Sequence, residues 1–398
     1  MFAHRRDFMR LAGGGVVFAA LPQAAGCAPA NDPRAAWRSP GAGESDPRRR
    51  AIAYGLLAPN PHNMQPWMAD LRQAGVVTLY ADPERLLPVT DPFNRQIVVG
   101  FGGFLELMRL AAAEQGYDAV ITPFPQGEAE PRLDARPVAR VEFRPGGQRD
   151  PLFAHVLQRR TSRVPYKPQP VPAAVADRIA AASLVGVRAE QTVDPARVSA
   201  LRALVHAAAK VEAYTPAAGH ESCQRTFIGS ADVAAHRYGI SLDGPMFDAL
   251  HAVGLLTQAQ MEKPGTFAFD QALSFLKTLS DTAQGFVWLA TPGNSRAEQI
   301  LAGRSYLRIN TQAAALGVAM HPWSQALQEY PTMADLYRQA HQMLAPDGAR
   351  LQMLVRIGYA KPVPPAPRRD SKELERVAGG KPLRTFPQPA LAAQIRNA

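Results

Sequence analysis

Apolar positions recur along this chain in two long helical stretches and several short extended ones. Residues 97–114 place Ile, Val, Phe, Leu and Met on nearly every face. The pattern therefore predicts a helix buried on all sides rather than one half-exposed at the surface. Residues 295–316 repeat that length with a more polar composition. Residues 76–81, 138–143, 286–290 and 351–358 are dense in β-branched, aromatic and other apolar side chains and predict strands. Shorter helices are expected over 48–57, 152–158, 173–182, 195–212, 324–327 and 333–343. Strands mixed with long helices in this order predict an α+β fold, with a central mixed or antiparallel sheet flanked by long helices.

The two long helical stretches resemble each other. Gln96-Ile97-Val98-Val99-Gly100 is followed by Ala111-Ala112-Ala113 and Gly116. Gln299-Ile300-Leu301-Ala302-Gly303 is followed by Ala313-Ala314-Ala315 and Gly317. A short gap aligns them, which predicts an internal duplication in which each half gives one Ala-rich helix to a shared core. The halves are expected over 47–150 and 151–370. An amphipathic, Gly/Pro-hinged stretch at about 238–265 reads as an insertion able to act as a lid. A C-terminal arm follows over 371–398.

Composition changes the picture at the ends. The chain has 398 residues, 46% apolar and 20% charged, which is ample core material for a globular protein. Its 36 prolines predict long ordered loops. Arg5-Arg6-Asp7-Phe8-Met9 precedes a weakly apolar run over 11–21 that is too short to span a bilayer. Residues 1–27 therefore read as a twin-arginine export signal, with the translocase as a transient partner and an exported or periplasmic location. Ala24-Ala25-Gly26-Cys27 looks like a lipobox, which makes Cys27 a lipidation candidate and a lipid anchor one route to the membrane. Ala28-Pro29-Ala30 offers a competing cleavage site, and both maturations remain open. Residues 28–46 read as a linker. With Cys27 lipidated, Cys223 is left without a partner for a disulfide. The histidines are scattered, so no metal is expected. The net charge of +10 comes without an aromatic-interleaved basic patch, so no nucleic acid is expected. Gly100-Phe101-Gly102-Gly103 lies inside a helix rather than after a strand, which favours close packing over a dinucleotide turn.

Two runs carry chemistry. In Leu57-Ala58-Pro59-Asn60-Pro61-His62-Asn63-Met64-Gln65-Pro66-Trp67, three prolines fix a loop that offers the amides of Asn63 and Gln65 and the imidazole of His62. Such groups suit a flat heterocycle with edge donors and acceptors, and Trp67 is large enough to cover one side of it. In Arg159-Arg160-Thr161-Ser162-Arg163-Val164-Pro165-Tyr166, three guanidiniums and two hydroxyls fall within five residues, a set that matches phosphate. The pair Arg368-Arg369 could close over the same phosphate.

Together these runs resemble the nitroreductase superfamily of FMN enzymes. The phrase Asn63-Met64-Gln65-Pro66-Trp67 is similar to that family's loop against the flavin ring and ribityl chain. Arg159-Arg160-Thr161-Ser162-Arg163 is similar to its phosphate motif. Arg356-Ile357-Gly358-Tyr359, running on to Arg368-Arg369, is similar to its closing strand and terminal basic contact. The loop precedes the arginine run here, an order similar to the Acg-like branch, in which two half-units are fused into one chain. The resemblance implies a nitroreductase-like fold, a monomeric intrachain pseudo-dimer and a single FMN. It implies FMN contacts at Asn63, Gln65, Trp67, Arg159, Arg160, Thr161, Ser162, Arg163 and Arg369, with no catalytic side chain beyond the chemistry at flavin N5. The implied activity is two-electron transfer to a small-molecule acceptor such as a nitroaromatic or quinone. An exported protein lies apart from cytoplasmic nicotinamide cofactors, so the electron donor stays unassigned. Two alternatives stand beside this reading: a protein that sequesters or stores FMN under its lid, and a periplasmic binding lipoprotein without flavin.

Overall fold

The structure, a computed structural model, describes residues 32–380. The export signal, Cys27 and the end of the C-terminal arm lie outside the described residues. In chain order the first strands are β1 (Trp67–Asp70), β2 (Val76–Ala81), β3 (Tyr117–Pro123) and β4 (Ala139–Pro145). Then come β5 (Arg188–Thr192), the short parallel pair β6 (Thr226–Ile228) and β7 (Ile240–Leu242), and β8 (Gly285–Thr291), β9 (Ala319–Pro322) and β10 (Arg350–Gly358). One sheet has the order β1-β2-β4-β3 and another the order β5-β8-β10-β9. Every ladder in both is antiparallel.

The fold is thus α+β, and the central sheet expected from sequence is divided into two sheets of one topology. The predicted strands at 76–81, 138–143, 286–290 and 351–358 are β2, β4, β8 and β10, the inner pair of each sheet. One difference separates the halves. Residues 71–75 join β1 to β2, whereas 193–284 join β5 to β8. The longer connection includes helices Pro195–Tyr214, Pro216–Gln224 and Phe267–Asp281, and the stretch read as a lid.

Helices Arg95–Glu114 and Arg296–Ala315 pack on each other and on the sheets. The first is long and apolar enough to cross a membrane, but nearly all of it is buried in the protein core. The helices cross with backbone against backbone. A Cβ on Gly102 would lie 2.2 Å from the Ile300 carbonyl oxygen, and one on Gly303 would lie 1.9 Å from that of Val99. No side chain larger than hydrogen fits either position without separating the helices. The sequence match set Gly100 against Gly303 and needed a gap. The structure pairs Gly102 with Gly303, so the two helices correspond from Arg95 and Arg296 onward without one. Local identity of Gln and Ile set the first alignment, whereas backbone clearance sets the real one.

The ends of these helices exchange arms. Arg95 donates to the carbonyls of Leu327 (2.7 Å) and Gln352 (2.8 Å) and pairs with Glu329, all in the second half. Arg296 donates to the carbonyls of Ala129 (3.0 Å) and Pro131 (2.9 Å) in the first half. Carboxylates cap both N-termini: Asp91 accepts from the amides of Gln96 and Ile97, and Glu128 from those of Arg296 and Ala297. Midway along the crossing, buried Glu106 meets Arg109 of its own helix and Arg304 and Arg308 of the other. Burial alone would raise the Glu106 pKa. The arginines outweigh it and hold the carboxyl below its usual range, so the group stays ionised across the junction.

The stretch read as a linker is packed from residue 32 onward. Trp37 is buried and donates its indole N–H to the Ala366 carbonyl (2.9 Å), and the Arg368 amide donates to the Pro33 carbonyl. Arg34 reaches Asp243 at 2.8 Å and the Pro365 carbonyl at 2.8 Å. A Trp in a Pro/Ala-rich run supplies both apolar area and a donor, which turns the run into a strap.

Adjacent glycines test the crossing. Gly102→Ala should destabilise the protein by ~1–3 kcal/mol through forced separation of the helices. Gly103→Ala, whose added Cβ meets nothing nearer than 3.7 Å, should stabilise it by ~0.5–1 kcal/mol through helix propensity. Denaturant titration of both variants reads the difference, and equal effects at the two positions would refute the close approach.

Candidate cofactor-binding site

The loop between helix Pro47–Gly55 and β1 is held in an unusual backbone. His62, Asn63 and Gln65 have φ of 48°, 54° and 51°, in the left-handed region that L-residues seldom adopt. Side chains fix that geometry. The Asn60 side-chain oxygen accepts from the Gln65 amide at 2.8 Å. Asn63 donates to the carbonyls of Gly239 (3.2 Å) and Pro367 (3.1 Å) and accepts from Arg368 at 2.6 Å. Gln65, fully buried, donates to the Arg237 carbonyl (2.9 Å) and accepts from the Arg369 amide (2.9 Å). The two amides read as heterocycle contacts therefore lash three distant segments together. Trp67 lies in the core on β1, 5.8 Å from Phe101 and 5.0 Å from Phe104, with its indole N–H unpartnered. It has no exposed face with which to cover a ligand.

The arginine run divides. Arg159 is buried, donating to Asn310 (3.1 Å) and to the Leu57 carbonyl (2.6 Å). Arg160 donates to the carbonyls of Leu157 and Arg159. Arg368 joins them, buried and bound to Asn63 and to the carbonyls of Leu57, Ala58 and Pro367. The three guanidiniums surround the Trp37 ring at 5.5, 4.9 and 5.3 Å from its centre. No carboxylate pairs with any of them among the described residues. Burial drives the Arg368 pKa well below its ordinary value, and the like charges of Arg159 and Arg160 push it further. Burial brings Arg159 down to about 10. The Nε atoms of both Arg159 and Arg368 are buried without a partner. Buried cations that lack counter-charge, with donors left over, are suited to an anion. Arg369 takes another role: it donates to the Gln65 carbonyl and pairs with Glu373, outside the cluster.

Thr161, Ser162 and Arg163 form a second part. Neither hydroxyl makes a hydrogen bond among the described residues, and Arg163 makes no hydrogen bond or close ion pair there. Arg163 is exposed, yet surrounding protein lowers its pKa by desolvation, only partly offset by Glu212 and Tyr306. His62 behaves alike: half-buried, it is held down to about 3 by burial and then by the charges of Arg163 and Arg225. Tyr306, on the second long helix, has a buried hydroxyl without a partner, and Arg159 and Arg163 are both close enough to act on it electrostatically.

Trp37 and Tyr306 escaped the sequence reading as site residues, and Arg368 entered it only within the Arg368-Arg369 pair. An aromatic in a supposed linker was the one available sign of Trp37. Two recesses lie away from these residues. One of about 260 Å³ is lined by Ile228, Asp232 and His251 within the 193–284 insertion, and one of about 500 Å³ by Glu190, Arg197 and Trp288. Cys223 is buried, its thiol pushed up to about 12 by desolvation. Among the described residues no group of three His, Cys, Asp or Glu side chains is placed to hold a metal ion.

No family profile matches the chain. An uncharacterised protein of Mycobacterium tuberculosis (strain H37Rv) is 34% identical over 126 residues, 30% of this chain; the chain spans 35% of that relative's length. The protein named "Putative NAD(P)H nitroreductase Rv3131", from the same strain, is 24% identical over 333 residues, 82% of this chain and 90% of the relative. Along most of its length the chain is thus similar to a protein named as a putative nitroreductase. That likeness runs through both halves, since the longer match spans most of the chain. Among solved structures, the FMN-dependent nitroreductase NfnB of Mycobacterium smegmatis matches with a TM-score of 0.35 and 17% identity, over 56% of this chain and 96% of that one.

The uncompensated cluster makes a prediction without reference to any cofactor. Inorganic phosphate at constant ionic strength should raise the unfolding temperature, with a stabilisation approaching ~2.7 kcal/mol at a hundredfold excess over its dissociation constant. In Arg160→Gln the phosphate-dependent gain should largely vanish, while stability in phosphate-free buffer holds or improves as like-charge repulsion falls. A phosphate response unchanged by this substitution would place the anion elsewhere.

Proposed function

We propose that this nitroreductase-like chain is an exported FMN-dependent oxidoreductase that transfers two electrons to a small acceptor of nitroaromatic or quinone type. The observation that carries the reading is the cluster of Arg159, Arg160 and Arg368. It is cationic, desolvated and free of counter-charge, and the unpartnered hydroxyls of Thr161 and Ser162 follow it directly in the chain. The cluster fits a phosphate monoester. Arg159, Arg160 and Arg368 would hold that phosphate, while Thr161, Ser162, Arg163 and His62 would face the rest of the molecule. Bound flavin supplies hydride chemistry at its N5. The protein's part is to bind, to exclude water and to set the local charge. Arg163, cationic and unpaired, is the group suited to stabilise an anionic reduced ring. The name of the longer relative supports a nicotinamide donor. For an exported chain the donor class is a quinol or a protein partner instead, because nicotinamide nucleotides are cytoplasmic.

A second reading, flavin sequestration with little turnover, draws on the strap. Trp37 sits among the three arginines, and Arg34 ties the strap to Asp243 beside β7. A ligand anchored there would be closed in by both chain ends.

FMN titration of the purified protein should quench flavin fluorescence and leave a yellow, stoichiometric complex. Arg160→Ala combined with Arg368→Ala should weaken FMN binding by at least ~100-fold, since each charged hydrogen bond contributes ~1.5–3 kcal/mol. A colourless protein with no affinity for FMN would sink both readings. Anaerobic bleaching by reduced mediators, followed by reoxidation with a quinone, separates turnover from sequestration.

Export has its own test. Arg5→Lys with Arg6→Lys should retain the protein in the cytoplasm of a host with a twin-arginine translocase. Unchanged export of that variant would remove the signal assignment.

A further inference from the structure

We propose that Glu212, Ser222 and His62 form a proton relay that opens toward Arg163. Its use in turnover rests on the oxidoreductase reading; its existence does not. His62 Nε2 lies 2.9 Å from Ser222 Oγ, and Ser222 Oγ lies 2.7 Å from Glu212 Oε1. The other Glu212 oxygen accepts from Gln328 at 2.9 Å, and Gln328 in turn accepts from the Tyr330 hydroxyl at 3.0 Å. Gln328 and Tyr330 thereby fix the carboxyl plane. His62 Nδ1 makes no hydrogen bond among the described residues, and the ring sits on the strained, lashed loop described above. Glu212 and Ser222 belong to helices Pro195–Tyr214 and Pro216–Gln224. Both lie in the connection that the first half replaces with residues 71–75, so the relay has no counterpart in that connection.

The hydrogen count fixes how the relay works. Ser222 has one hydroxyl proton. With Glu212 ionised, Ser222 donates to Glu212 and must accept from His62 Nε2–H, which leaves Nδ1 bare. With Glu212 protonated, Glu212 donates to Ser222 and Ser222 donates to Nε2, so the imidazole proton sits on Nδ1. The protonation state of Glu212 is thus copied outward as a tautomer of His62, and the imidazole never becomes charged. Burial favours a neutral imidazole and raises the Glu212 pKa above its ordinary value, toward the protonated carboxyl. The charged and titratable groups facing the pair are Arg163 and Arg225 around His62, and Arg163, Glu221, Cys223 and Tyr330 around Glu212.

In turnover the His62 Nδ1 proton passes to the acceptor oxygen, the Ser222 proton moves to Nε2, and the Glu212 proton moves to Ser222 Oγ. A quinone that takes a hydride from the reduced flavin of the proposed function and this one proton becomes the hydroquinone. The quinone is reduced by two electrons, and the flavin is oxidised by two. Glu212 is left as a carboxylate near Arg163, and the relay resets when a solvent proton enters at Nδ1 as the Nε2 proton returns to Ser222 and the Ser222 proton to Glu212. Glu212 and Ser222 act through His62 and are positioning residues.

The test begins on the full chain without added flavin. In ¹⁵N-histidine NMR between about pH 5 and 9, His62 should remain neutral and switch from the Nδ1–H to the Nε2–H tautomer in one step. Glu212→Gln, and independently Ser222→Ala, should abolish the switch while the other histidines titrate as before. A single tautomer throughout in the unsubstituted chain, or ordinary imidazolium formation at His62, would overturn the relay. In the FMN-loaded protein, Glu212→Gln should lower kcat for quinone reduction at least ~10-fold with FMN affinity and KM unchanged; an unchanged kcat would overturn its role in turnover. Absence of flavin binding would instead count against the oxidoreductase reading, and would leave the tautomer result standing.

Discussion

Where Gly102 meets Gly303, two helix backbones touch with no side chain between them, and the arrangement of the halves follows from that contact. Close approach at the centre brings the helix N-termini within reach of the opposite half, where Arg95 and Arg296 can each find carbonyls across the junction. It also brings Arg304 and Arg308 onto Glu106, so a carboxylate otherwise costly to bury is neutralised by residues of the other helix. A wider separation would leave Glu106 underpaired and both helix-end arginines short of partners. The contact therefore acts as a constraint on charge as well as on packing.

Matching sheets give the two halves a common plan, and the 193–284 connection breaks it. Both sheets have the same strand order, but one half gains several helices between its first two strands. Those helices carry Glu212 and Ser222 to the back of His62, a first-half residue. The arginines of the cluster come from two places, the run after β4 and the C-terminal segment, and the N-terminal strap sets Trp37 among them. A cluster assembled in this way draws on each half differently.

Legibility from sequence followed the source of each residue's energy. The inner strands and both long helices were readable because continuous burial leaves a continuous apolar pattern, as at 97–114 and 286–290. The edge strands β1, β5 and β9 are four or five residues long, and β3 alternates too weakly to announce itself. The arginine run was readable because the charge density is local. Trp37 could not be placed, because its role depends on partners more than a hundred residues away. Asn63 and Gln65 show the limit differently. Their residue types advertise hydrogen bonding, but only the fold decides whether the partner is a ligand or a distant carbonyl.

The arginine cluster bears on how the strap and the C-terminal segment are docked. Three guanidiniums around one indole gain cation–π attraction, yet the ring supplies no net negative charge, so their mutual repulsion and desolvation stand largely uncompensated. That cost is borne by the segments that hold them in place: Asn63 on Arg368, the Leu57 carbonyl shared by Arg159 and Arg368, and the strap through Trp37 and Pro33. An anion that binds this cluster would remove the repulsion and so favour the state in which strap, loop and C-terminal segment are docked together. By linkage, whatever favours that docked state also favours the anion. Docking of the strap and the C-terminal segment and binding of an anion at the cluster would then be two expressions of one equilibrium.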